Sequence, residues 1–145
     1  MCKALDVAKY FISKSDPEIG DTLSNLKLQK LLYLAQGFNL AIYDKVLFPE
    51  HIEAWAHGPV VPTIYHEFKC YGSDAIPIQQ FDLNLISHES KQLLDEIWEV
   101  FGQFSAWKLR DISHEHDPWK NTAQECIISP ELMNHYFKQL IKANV

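Results

Sequence analysis

The sequence lacks an excess of basic charge, and that absence removes a large class of functions. Its 145 residues hold 13 Lys and Arg against 19 Asp and Glu, a formal charge of −6. A dedicated nucleic-acid binder needs a basic footprint to displace counterions, so no such partner is expected. Long apolar runs are missing too; none approaches the roughly 20 residues that span a bilayer. The start, Met1-Cys2-Lys3-Ala4-Leu5-Asp6, mixes charge into its apolar residues, unlike a secretory signal or a membrane anchor. Cysteine is sparse. Cys2, Cys70 and Cys126 form no C-x-x-C pair, and an odd count does not suggest a disulfide framework. A reduced, cytoplasmic home is the expectation. There is no G-x-G-x-x-G, no Walker-type loop and no G-x-S-x-G, so no cofactor is expected. No internal repeat, low-complexity tract or linker divides the chain, which reads as one domain over residues 1–145.

What is present is an ordinary globular composition, 47% apolar and 22% charged. The acidity is uneven. Residues 1–72 carry seven basic and eight acidic groups, whereas residues 73–145 carry six and eleven. A solvated helical face accounts for such charge, and so does attraction of a basic partner.

Apolar periodicity predicts a mainly α, single compact helical domain of about six to seven helices with a small β-hairpin insertion. Ala4, Leu5, Ala8, Phe11 and Ile12 mark a first helix near 3–14, stopped by Ser15-Asp16-Pro17. Thr22 or Ser24 caps a helix near 24–42. Leu28, Leu31, Leu32, Ala35, Phe38 and Ile42 form its buried face, and Leu26, Leu34 and Leu40 add apolar surface elsewhere, so it reads as central. Gly37 within it costs about 1 kcal/mol against alanine and suggests the close approach of a neighbour. Val46-Leu47-Phe48 and His51 to Trp55 read as the two strands of the hairpin. A helix begins near Pro62 and is capped by Gly72. Residues 73–86 form a loop with Ile76, Ile78, Phe81 and Leu83 laid over the core. Ser87 opens a helix near 88–101, Ser105 a short one through Ile112, Asp117-Pro118 another carrying Trp119, and Ser129-Pro130 the last, over 130–143.

The densest feature is Glu53-Ala54-Trp55-Ala56-His57-Gly58-Pro59-Val60-Val61-Pro62. Glycine and proline force a change of direction here, with an indole and an imidazole beside it. A second block, Leu109 to Trp119, again places histidine, proline and tryptophan together: His114, Pro118 and Trp119. Brought together, the blocks would make one Trp/His-lined cleft. The same tryptophans suit a core in which their N–H groups find backbone partners, and composition does not choose between the two.

Seven histidines raise the question of a metal. No H-E-x-x-H or finger spacing occurs. His51 and His57 on one strand would stand about 20 Å apart, too far to share an ion. His114 and His116 on a helix point to different sides. No metal site is expected. Cys70 lacks the parts of a nucleophilic site and reads as a buried core thiol.

Three segments in order resemble one family: Leu26 to Gly37, Ile52 to Pro62 with Tyr65, Phe68 and Tyr71-Gly72 following, and Leu109 to Trp119. They are similar to the phage-associated GepA and SocA-like proteins, which carry the Panacea domain. The resemblance implies a mostly helical, non-enzymatic antitoxin of a bacterial toxin–antitoxin pair that binds its cognate toxin directly. One branch resembles a proteolysis adaptor that hands its toxin to a AAA+ protease. The candidate partner-binding residues are Lys30, Tyr33, Trp55, His57, Gly58, Pro59, His114, Pro118 and Trp119, with no catalytic group among them. The alternative is a small cytoplasmic enzyme that uses a Trp/His-lined cleft, with Asp111 or Asp117 tuning His114 as a general base.

Overall fold

In the computed structural model, which describes residues 1–143, seven α-helices are accompanied by a three-stranded sheet. The helices are α1 (Ala4–Lys14), α2 (Asn25–Tyr43), α3 (Pro62–Phe68), α4 (His88–Phe101), α5 (Ala106–His114), α6 (Asp117–Lys120) and α7 (Pro130–Ala143). The strands are β1 (Ile52–Trp55), β2 (Gly58–Val60) and β3 (Ile127–Ile128), in the order β2-β1-β3, and both pairings are antiparallel. No helix of the described residues is long and apolar enough to cross a membrane.

Helix α2 is the axis, touching α1, α3, α4, α5, α7 and β2. Ser24 caps it, its hydroxyl accepting from Lys27 N at 3.3 Å. Leu28, Leu31, Leu32, Leu34 and Ala35 are buried around its circumference. Each leucine contributes roughly 1.5–3 kcal/mol by leaving water. At Gly37 α7 packs tightly on α2: a Cβ there would collide with the Phe137 ring. Ile42 departs from the expected buried face. It lies in the last turn of α2 and is 49% exposed.

The polar side chains of α2 hold loops. The Gln36 amide oxygen accepts from Leu47 N at 2.7 Å, while its NH2 donates to Phe48 O at 2.8 Å. Asn39 donates to Lys45 O at 2.8 Å. These bonds correct the expected hairpin. Val46-Leu47-Phe48 is not a strand: Gln36 takes the Leu47 N–H and the Phe48 carbonyl, and the Leu47 carbonyl accepts from Cys2 N at 3.1 Å, so the segment makes no ladder with β1. The true partner of β1 is β2, across the turn Ala56-His57.

Two further expectations fail by phase. Cys70 is exposed, not a core thiol. The chain tightens into a 3-10 turn over Lys69–Tyr71 after Phe68, and this rotates Cys70 outward. In the loop 73–86, Ile76 is buried and Phe81 packs on the core, but Ile78 and Leu83 are 54% and 52% exposed.

Candidate functional site

The hairpin is built around a proline that asks nothing of its partner. Trp55 faces Gly58, Ala54 faces Pro59 and Glu53 faces Val60. The Ala54 N–H donates away from β2, to Cys126 O at 3.0 Å, and its carbonyl accepts from Glu125 N at 2.6 Å. Pro59, lacking an N–H, therefore sits at a position where β1 needs no donor, on an edge strand that tolerates it. Gly58 closes the turn at φ +108°, outside the range of ordinary side chains. A Cβ there would also lie 2.8 Å from both Lys30 Cε and Ser113 Oγ.

Beneath that glycine lies Lys30, only 1% exposed. Its Nζ donates to Pro59 O at 3.0 Å. Burial, helped by the Arg110 charge, lowers its pKa from 10.5 to about 7. The amine holds the hairpin onto α2 and is closed to solvent. Gln29 does the same one residue earlier, its amide oxygen accepting from Val61 N at 2.9 Å.

The second block packs against the first. The Trp119 indole N–H donates to Trp55 O at 2.8 Å. The His114 ring stacks on Trp119 with centroids 3.9 Å apart and planes 7° from parallel. Its Nε2 is buried without a hydrogen bond. The His114 pKa is lowered by burial, then by the Arg110 and Lys30 charges, while Asp111 and the Ala56 backbone act in the opposite sense. Pro118 is buried in the first turn of α6. His116 precedes that helix at its N-cap position and points inward, its Nδ1 bonded to the Tyr33 hydroxyl at 3.0 Å. Burial lowers its pKa to about 4 and raises that of Tyr33 well above its usual value.

The two blocks thus form one structure, but not one open cleft. Lys30, Tyr33, Gly58, Pro59 and Pro118 are its buried support. Trp55, His114 and Trp119 are half-buried, and His57 is exposed. Trp119 does find a backbone partner, as the core reading of the tryptophans has it.

The exposed rim includes residues that sequence reasoning missed. Trp107 is 57% exposed. Its ring meets His57 edge-on at 5.7 Å, and the Arg110 guanidinium lies 5.1 Å from its centroid. Arg110 Nε donates to His57 Nδ1 at 3.3 Å. The available signal was spacing: Trp107 and Arg110 are three apart on α5 and so share a face. Beside this ladder is a cleft of about 440 Å³ lined by Trp55, His57, Tyr65 and Glu125 among others. Trp55 and Tyr65 meet there at 5.0 Å and 69°.

A mainly α domain with an aromatic-rimmed hairpin clamped on its central helix is the class that this geometry defines. Residues 28–120 match the family described as antitoxin SocA-like, Panacea domain. The chain belongs to that family. It is similar to Antitoxin SocA of Caulobacter vibrioides (strain NA1000 / CB15N), with 30% identity over 109 residues. That match covers 67% of this chain and 58% of the relative, less than two thirds of the relative's length. No solved structure matches the chain.

Proposed function

We propose that this protein is a non-enzymatic cytoplasmic antitoxin that neutralises a cognate bacterial toxin by direct binding. The surface is the hairpin turn with the exposed face of α5. Membership of the SocA-like family supplies the functional class. The observation that carries the surface is the ladder Trp107, Arg110 and His57, whose members touch one another and reach solvent. Tryptophan and arginine are the residue types that most often anchor protein interfaces. A large indole left more than half exposed gains most when a partner covers it. Occlusion of the toxin needs only this surface. Hand-over to a AAA+ protease would require a second one, and its support is the resemblance to the adaptor branch.

The test is co-expression with the product of the adjacent gene in a bacterial host, scoring growth and co-purification. The wild-type chain is expected to rescue growth and to co-purify. Trp107→Ala with His57→Ala is expected to weaken binding at least about tenfold. Both side chains are exposed, so the unfolding free energy stays within about 0.5 kcal/mol. Equal rescue and equal co-purification by that double variant would remove this surface from the account.

A further inference from the structure

The cleft beside the ladder has two aromatic walls inclined at 69° and, among the described residues, one unpaired carboxylate. The Trp55 wall is held from below by Glu53, whose Oε1 accepts the indole N–H at 2.9 Å. The Tyr65 wall comes from α3, whose start is set by Val61 and Pro62. Glu125 enters from the turn before β3, and its N–H bond to Ala54 O places it next to Trp55 in space. Its carboxylate is exposed and makes no hydrogen bond or ion pair among the described residues.

The backbone at Glu125 is the second observation. Its φ is +66°, a left-handed conformation in which glycine or asparagine is the usual choice and other residues are strained. The turn itself therefore gains nothing from glutamate. A side chain kept at a position that favours none is accounted for when the side chain has a task. Electron-rich ring faces beside a fixed negative charge bind a flat cation, which gains from both. The surrounding sequence is acidic, with eleven acidic against six basic groups over residues 73–145. This long-range field also favours a basic partner.

We propose that the cleft of Trp55, Tyr65 and Glu125 receives an arginine side chain of the partner protein. Its guanidinium lies against an aromatic wall and pairs with the Glu125 carboxylate. This inference deepens the toxin-binding reading and rests on it for the identity of the partner; the chemistry of the cleft is testable separately.

The probe is the peptide acetyl-Gly-Arg-Gly-amide, compared with its citrulline and lysine counterparts. The readout is the NMR signal of the Trp55 indole N–H, assigned with Trp55→Phe. The arginine peptide is expected to shift that signal saturably in the millimolar range. The uncharged citrulline peptide should need at least about tenfold more. Glu125→Gly relieves the left-handed backbone, so its melting temperature should not fall, yet arginine binding should weaken about tenfold. The same variant should lose a comparable factor in affinity for the adjacent gene product. A Trp55 signal that ignores the arginine peptide, that responds equally to citrulline, or that responds more tightly to lysine overturns the proposal. So does unchanged peptide binding in Glu125→Gly. If the peptide binds as expected but the adjacent gene product does not bind, the toxin pairing fails and the guanidinium cleft stands. If the product binds while the peptide is silent, the reverse holds.

Discussion

The indole N–H of Trp119 donates to the backbone carbonyl of Trp55 at 2.8 Å, joining residues 64 positions apart. The second aromatic block is thereby fixed to the hairpin by one directional bond plus the stack of His114 on Trp119. Trp119→Phe keeps an aromatic face for His114 and deletes the donor. We expect it to lower the unfolding free energy by about 1–2 kcal/mol, the cost of leaving a part-buried carbonyl unpaired. Urea unfolding with an unchanged m-value would check this. A loss below a few tenths of a kcal/mol would mean that water replaces the indole.

Two buried bases make stability depend on pH with the same sign. Lys30 has a folded pKa of about 7 against 10.5. The unfolded chain binds the proton more readily between those values, so stability rises with pH through that window. His116 has a folded pKa of about 4 against 6.5. It too is held neutral by the fold, so stability falls as pH drops from 6.5 to 4. Each slope is at most about 1.4 kcal/mol per pH unit. Lys30→Met keeps an unbranched apolar stem and removes the amine. It should flatten the profile between pH 7 and 9 and leave stability at pH 7 within about 1 kcal/mol of the parent. Urea unfolding at stepped pH measures both arms, and the His116 ring resonances should titrate near pH 4.

Gly37 and Phe137 oppose each other where α2 and α7 cross. Helix propensity alone would make Gly37→Ala stabilising by up to about 1 kcal/mol. The ring stands where the new methyl would go, and it is packed on Tyr33 at 5.4 Å and on Phe38 at 4.9 Å. Overpacking should win, with a net loss of about 1–2 kcal/mol. Phe137→Leu makes room, so the double variant should lose less than the two single losses added together. Thermal melts of the four proteins close that cycle.

Helix starts were legible in the sequence because capping is local chemistry. Ser87 and Ser105 each accept the backbone N–H three residues on, at 3.1 Å in both cases. The closeness of a neighbour at Gly37 was legible for a similar reason, since a glycine inside a strong apolar helix needs an explanation. The hairpin was misread because its evidence is remote. Val46 to Phe48 has strand composition, but Gln36 and the Cys2 backbone hold the segment's backbone groups. Strand β3 is only two residues long, too short for any alternation to show. In the site, residue types pointed to the two blocks, while exposure could not be read. Lys30, expected among the partner-binding residues, is the buried clamp. Trp107 lies outside both blocks and is the exposed indole of the rim, where Trp55 and Trp119 are half-buried.

The crossing of α2 and α7 also has a consequence for timing. About 100 residues separate Gly37 from Phe137, which is roughly 5–20 s of synthesis at typical rates. During that interval the hairpin can already be seated on Lys30, because the bond from Lys30 to Pro59 spans only about thirty residues. The Tyr33 side of α2 stays open until α7 emerges. A newborn chain therefore carries a seated hairpin on an unclosed core, and anything that captures it early would meet that bare side of α2 before it is covered.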